Sequence, residues 1–381
     1  MKRAPAFALL FLAGCGDRLF APCDIRTARC QESLTNGLRQ LRNESAIAPS
    51  VMVRSEEEVV ADSIDSTTPA ERESFARQNT ILSLLGLSQP GLSLDAQVQN
   101  RFDRVAAFYS SSTDAITVID RGQALDGVGP ALTFTHELVH AMQGAEGLLA
   151  LASQDVDTTD EGLAHRAITE GEATFYEDLA GFDLFGWDDD EHEKALAYYR
   201  DSTAYYAVFE DLLIYNASIL FPYAFGAAYV RRIWEQGGQP AVVATYDALP
   251  STTFGVIDGE EPSALLGADA IAVPTADYTV AIADRFGAFI VRAWCSRQDF
   301  IGCEDIQDDG FTGLVSADGT SSIAIWRMRV RPPNADFLLQ RARDAGFNVS
   351  LVGDDLIFVA SNTGSRVDYT TLVTGWRSND D

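Results

Sequence analysis

The pentapeptide HELVH at residues 136–140 constrains this chain more than any other feature. A proline precedes it and a glycine follows it, which favours the start and the end of a helix. On a helix, residues four apart share one face, so both imidazoles can bind the same metal ion. The carboxylate of Glu137 can then act as the general base for a water that the metal acidifies. The pattern predicts a Zn²⁺ site with His136 and His140 as ligands.

A second acidic pattern follows at residues 163–180, LAHRAITEGEATFYEDLA, whose spacing is typical of a helix. A third zinc ligand needs a carboxylate on a helix that approaches the first one closely, and small residues such as Gly171 permit that approach. Glu170 is favoured over Glu172, although Arg166 on the same face would then have to point away. Without the HELVH motif upstream, both glutamates would be interpreted as a solvated helix face.

Other polar residues allow more than one interpretation. Tyr223 is a candidate for stabilising an oxyanion, because a phenol can donate a hydrogen bond to a developing negative charge. Its alternative role is packing beside Pro222. His165 and His192 are interpreted as surface residues rather than ligands. The β-rich segments in residues 106–119 predict a hairpin that leads into the motif helix.

The first residues, MKRAPAFALLFLAGCGD, have basic residues before a short apolar run, as in an export signal. The run ends in Leu-Ala-Gly-Cys, which is similar to a bacterial lipobox and predicts a lipid anchor on Cys15. The alternative is an ordinary secretory signal with an incidental cysteine. Either interpretation predicts export, and the lipobox places the protein at the periplasmic face of a membrane or at the cell surface. The anchor would then be its only contact with the membrane.

The remaining cysteines form two local couples, Cys23 with Cys30 and Cys295 with Cys303, which are disulfide candidates in an oxidising compartment. Four cysteines allow three connectivities, so the pairing stays open. The net charge of −28 excludes a nucleic-acid-binding surface, because phosphate neutralisation needs clustered Lys and Arg. It also argues against adhesion to anionic lipids. Neither composition nor charge indicates an oligomeric state.

HELVH, taken together with EGEAT at residues 170–174, resembles the motifs of gluzincin-type zinc metallopeptidases. In that group two histidines and a downstream glutamate bind zinc, and EGxA is a familiar form of the glutamate motif. The resemblance implies the ligands His136, His140 and Glu170, with Glu137 as base. It extends over PYAFGAAYVRRIWEQGGQPAVVATYDALPSTTFGVI, which is similar to the segment after the active site in uncharacterised bacterial and archaeal HELTHALQ…EGEAT proteins. In zincins the strand before the motif helix commonly borders the cleft, where it can pair with an extended substrate. The alternative is a hairpin that only packs.

The chain departs from that pattern at two places. It has STTF at residues 251–254, so the acidic and histidine residues that the similar proteins carry beyond this loop are absent. This puts contacts of the substrate loop in doubt. Thr174 lies four residues after Glu170, where thermolysin-like relatives have an aspartate that supports a ligand histidine. The residues that support the ligands must therefore differ.

These patterns predict an α+β fold: a zincin-like, predominantly helical metallopeptidase domain with a short edge hairpin, and a small α+β C-terminal subdomain. The predicted divisions are a signal peptide with lipobox (1–15), a tether or cap (16–50), the metallopeptidase domain (51–257), and a linker with the C-terminal subdomain (258–381). Among the predicted helices, one covers 224–236, opened by the proline before it, and another covers 281–293.

The predicted activity is hydrolysis of a peptide or protein substrate with one Zn²⁺ per chain. One alternative is a non-catalytic binding or scaffold lipoprotein whose zinc site is structural or vestigial. The other is a non-peptide metallohydrolase, such as an amidase acting on cell-wall material.

Overall fold

The computed structural model describes residues 19–363, except for residues 44–46, 155, 186–189, 191–193, 195–196, 198–212, 263–264, 267–276, 301 and 332–333. The predicted signal peptide with Cys15 lies outside the described residues, and so does His192. No helix within the described ranges has both the length and the apolar character needed to cross a membrane.

The structure combines α-helices with two β-sheets. In chain order, the described α-helices are α1 (Ala28–Arg42), α2 (Glu56–Asp65), α3 (Pro69–Ser83), α4 (Leu94–Phe102), α5 (Val128–Ala145), α6 (Leu148–Ala152), α7 (Thr159–Phe185), α8 (Leu213–Gly237), α9 (Gln239–Thr245), α10 (Thr253–Asp258), α11 (Gly287–Arg297) and α12 (Ala335–Asp344). The strands are β1 (Ser50–Ser55), β2 (Ala107–Ser110), β3 (Ala115–Asp120), β4 (Tyr278–Asp284), β5 (Ile306–Ser316), β6 (Ser322–Val330), β7 (Val349–Val352) and β8 (Asp355–Ser361).

The smaller sheet has the strand order β1-β3-β2. Strand β1 runs parallel to β3, whereas β2 and β3 form an antiparallel hairpin. This hairpin confirms the one predicted in residues 106–119, and β2 lies at the edge of the sheet, against α5. The larger sheet, β4-β5-β6-β8-β7, is antiparallel throughout. The protein is therefore a mixed α+β protein.

The helix predicted over residues 224–236 was expected to begin at the proline before it. This predicted start is wrong, because α8 begins at Leu213 and contains Pro222 in its interior. An interior proline costs about 3 kcal/mol. Residues on both sides of it are fully buried, among them Phe221 and Val230. Because each large apolar side chain buried contributes about 1.5–3 kcal/mol, packing outweighs the local penalty.

The helix predicted over residues 281–293 is wrong in its first part. Residues up to Asp284 belong to β4, which pairs with β5, and α11 begins only at Gly287. Gly287 has φ +86°, and a Cβ there would lie 1.7 Å from Oδ1 of Asp160. The break between strand and helix therefore depends on contacts with a residue far away in the chain, which local periodicity does not reveal.

Two hydrophobic cores meet along α7. Residues near its start, such as Leu163 and Ala167, pack in the larger core with α3, α8, α11 and the large sheet. Residues further along, such as Phe175 and Tyr176, pack in a second core with α1, α5 and the small sheet. Glu170 lies between these two stretches of α7, so both cores fix its position.

The larger core crosses the predicted domain boundary at residue 258. Buried polar contacts cross it too: Asp160 of α7 accepts hydrogen bonds from Thr253 and from Arg285. Within the C-terminal part, Asp309 of β5 accepts from the indole of Trp326 and from two backbone N–H groups at the start of α11. The C-terminal sheet is therefore bound to the helices that carry the predicted site.

Both cysteine couples are bonded locally, Cys23 to Cys30 and Cys295 to Cys303. The first disulfide joins the start of α1 to the segment before it, and the second joins the end of α11 to the short 3-10 turn that precedes β5.

Candidate metal centre

Three side chains from α5 and α7 converge on one point. Nε2 of His136 lies 3.2 Å from Nε2 of His140, and Oε2 of Glu170 lies 3.3 and 3.2 Å from these two nitrogens. Tetrahedral ligands at about 2.1 Å from a zinc ion are themselves about 3.4 Å apart, so the three atoms are spaced as one cation requires. Among the described residues this is the one cluster of three potential ligands.

The other ring nitrogens of both histidines are held by hydrogen bonds. Nδ1 of His136 lies 3.1 Å from Oε2 of Glu177, a carboxylate that can only accept. Nδ1 of His140 lies 2.8 Å from Oε1 of Gln143, whose amide nitrogen donates elsewhere. Both Nδ1 atoms therefore carry a proton, so a metal would bind at the two Nε2 atoms in place of any proton there. The donor set fits a divalent cation.

Glu177 supplies the carboxylate that supports a histidine of the triad, a role for which Thr174 has no carboxylate. It lies two helical turns after Glu170 on the same face of α7, where it reaches His136 rather than the metal position. No role for Glu177 was predicted from the sequence. Its seven-residue spacing from Glu170 is the signal that could have identified it.

Electrostatics favour positive charge at this centre. Burial alone would lower the pKa of His136, but its hydrogen bonds with Glu170 and Glu177 raise that pKa well above its usual value. Burial also opposes ionisation of Glu170, yet the two imidazoles keep its pKa well below the usual value. A cation bound between these three groups would be stabilised by the same carboxylates.

Glu137 lies beside the triad and is buried. Its Oε2 accepts a hydrogen bond of 2.7 Å from the backbone N–H of Tyr109 in edge strand β2. Burial raises the pKa of Glu137, and the charges of His140 and His136 oppose that rise. A raised pKa makes a carboxylate a better proton acceptor near neutral pH.

Glu172, the alternative ligand, is not part of the triad. It is fully buried on another side of α7, where it forms an ion pair of 2.8 Å with Arg42 of α1. It also accepts hydrogen bonds from Gln143, Tyr246 and Gln239. Since Gln143 also holds His140, Glu172 supports the triad indirectly.

Tyr223 lies at the centre, as its candidacy for an oxyanion role requires. Its ring stacks on that of His136, with 5.6 Å between the ring centroids. Burial, followed by the charges of Glu170 and Glu137, raises the pKa of Tyr223 well above its usual value. The phenol therefore keeps its proton and can donate a hydrogen bond.

Two expectations for neighbouring residues are wrong. Arg166 does not point away from Glu170: its Nη2 lies 3.7 Å from Oε1 of that carboxylate. His165 is buried rather than at the surface, with Nδ1 3.0 Å from the carbonyl oxygen of Ala152. Helical spacing predicted which face each residue occupies, but not how the neighbouring helices cover it.

No protein-family model, curated protein or solved structure matches this chain.

Proposed function

We propose that this protein is a gluzincin-like zinc metallopeptidase that hydrolyses peptide bonds. One Zn²⁺ per chain would be held by His136, His140 and Glu170. The observation that carries this proposal is the convergence of three ligand atoms at 3.2–3.3 Å from one another, with Glu137 buried beside them.

When bound, zinc supplies Lewis acidity, which acidifies water and polarises a carbonyl group. Glu137 would accept the proton of the attacking water and then pass it to the leaving amine. Tyr223, which keeps its proton, would donate a hydrogen bond to the oxyanion that develops on the substrate. Glu177 and Gln143 would hold the two imidazoles in the tautomer that binds a metal.

The proposed substrate path runs along edge strand β2. Within the described part of the chain this strand pairs with β3 alone, and its Tyr109 holds the proposed base. An extended peptide can add to such an edge through main-chain hydrogen bonds, which would bring its scissile bond to Glu137. The arrangement of β2, α5 and α7 supports a zincin-like fold for this part of the chain.

We also propose that the protein is exported and lipid-anchored at Cys15. The predicted signal peptide with its lipobox supports this, and the two disulfides suit an oxidising compartment. The anchor would leave the folded body free to meet substrates outside the cytoplasm.

Zinc-loaded protein should cut an unfolded protein substrate into fragments, whose new termini mass spectrometry can locate. A zinc chelator should stop the reaction, and added Zn²⁺ should restore it. Complete absence of hydrolysis by the zinc-loaded protein, tested on unfolded proteins and on short peptides, would contradict the proposal. Cleavage of cell-wall amides alone would favour the non-peptide hydrolase.

A further inference from the structure

Arg166 brings a positive charge to the edge of the proposed metal centre. It lies one turn before Glu170 on α7, and its Nη2 is 3.7 Å from Oε1, the carboxylate oxygen that does not face the imidazoles. This distance is too long for a hydrogen bond, so Nη2 is not held by Glu170. The Arg166 side chain is 46% exposed, whereas that of Glu170 is 16% exposed. The guanidinium therefore lies on the solvent side of the ligand.

A backbone carbonyl of α8 holds this guanidinium in place. Nη1 of Arg166 donates a hydrogen bond of 3.0 Å to the carbonyl oxygen of Ser218. Four residues later stands Pro222, which has no N–H to donate back to that carbonyl, as a helix normally requires. The interior proline thus leaves a carbonyl oxygen for Arg166, and the next residue, Tyr223, reaches the metal centre.

The negative net charge of the chain makes the guanidinium of Arg166 a candidate binding site for an anionic group of the substrate. The chain has a net charge of −28, so an anionic substrate is repelled unless a local cation receives it. A metal bound by Glu170 would take up the charge of that carboxylate, which leaves Nη2 of the guanidinium available for another anion. One residue of extended chain spans about 3.3–3.6 Å, so a group one or two residues beyond the reacting carbonyl can reach Arg166.

We infer that Arg166 determines specificity by binding a carboxylate of the substrate one or two residues from the scissile bond. This inference rests on the proposed peptidase function. The carboxylate can be the C-terminal α-carboxylate, which would make the protein a carboxypeptidase, or the side chain of an acidic residue.

The test measures the cleavage of three sets of short N-acetylated peptides by the zinc-loaded protein. The first set ends in a free carboxylate, the second has the same sequences with C-terminal amides, and the third has amides together with Asp or Glu near the C-terminus. Wild-type protein should cleave the first or the third set with a KM about tenfold lower than that of the second. A preference for the first set identifies the α-carboxylate, and a preference for the third identifies the side chain.

The R166Q variant should lose this preference through KM, whereas R166K should retain part of it. The matched control is R77Q, which removes an exposed arginine paired with Glu73 within α3, and which should behave as wild type. Equal cleavage of all three sets by wild-type protein would overturn the inference. An equal loss of kcat/KM on all three sets in R166Q would also overturn it.

A binding measurement separates this inference from the hydrolytic function. Equilibrium dialysis with zinc-loaded E137Q protein measures how strongly each peptide set is retained without turnover. Carboxylate peptides should be retained about tenfold more strongly than amides, and the E137Q/R166Q double variant should lose the difference. If wild-type protein hydrolyses nothing, this comparison still decides the role of Arg166. Equal retention of the sets by E137Q would overturn that role.

Discussion

Replacing Glu137 by Gln should lower kcat/KM for peptide hydrolysis by about 10²–10⁴-fold while the zinc content stays at the wild-type level. An amide has nearly the shape of a carboxylate but cannot take a proton from water. Its oxygen can still accept the hydrogen bond from the backbone N–H of Tyr109, so the contact between α5 and β2 is preserved. The loss should therefore come from chemistry rather than from folding.

Rate measurements on the zinc-loaded variant, with elemental analysis of the same sample, check this expectation. The matched control is E235Q, which neutralises an exposed glutamate paired with Arg231 on α8 and should keep full activity. If Glu137→Gln retained wild-type kcat/KM, a base role for Glu137 would be excluded. A binding or scaffold role would then fit the intact metal site better.

Replacing Gly171 by Ala should destabilise the protein by about 3 kcal/mol or more, at or above the upper end of the usual cost of overpacking. A Cβ at this position would lie 2.3 Å from the carbonyl carbon of Gly226, and a Cβ on Gly226 would lie 2.1 Å from the carbonyl oxygen of Ala167. Helices α7 and α8 thus touch backbone to backbone. A methyl group there must push the helices apart, because no flexible side chain can yield.

The same displacement would separate Glu170 on α7 from Tyr223 on α8. Urea unfolding should therefore show a lower midpoint for Gly171→Ala, together with weaker zinc binding. Gly129→Ala is the control, since Gly129 lies in the first turn of α5 with nothing within 4 Å of a Cβ built there. That change should leave the midpoint unchanged or raise it slightly. An unfolding midpoint equal to wild type for Gly171→Ala would contradict the close helix contact.

Much of the candidate centre could be predicted because it depends on helical spacing. The two histidines of HELVH share a face of α5, and Glu170 lies on a different face of α7 from Glu172. Both facts follow from residues a few positions apart. The start of α3 likewise depends on local contacts, because Thr68 and Glu71 exchange hydrogen bonds there and a proline lies in its first turn.

What sequence reasoning missed depends on contacts between distant residues. Gly171 was expected to allow close approach of the HELVH helix, but it allows the approach of α8 instead. The role of Glu172 depends on Arg42, which lies 130 residues earlier in the chain. Strand β4 exists because β5 pairs with it. No local pattern shows which helix or strand will be the neighbour, so these features needed the structure.

The central claim, that His136, His140 and Glu170 bind one catalytic metal ion, is tested most directly by elemental analysis of the purified chain. Wild-type and Glu137→Gln protein should each contain one zinc per chain, and His140→Ala should contain almost none while keeping its helical circular dichroism. A wild-type chain that holds no zinc after incubation with it, or a His140→Ala chain that binds zinc as wild type does, would contradict the account.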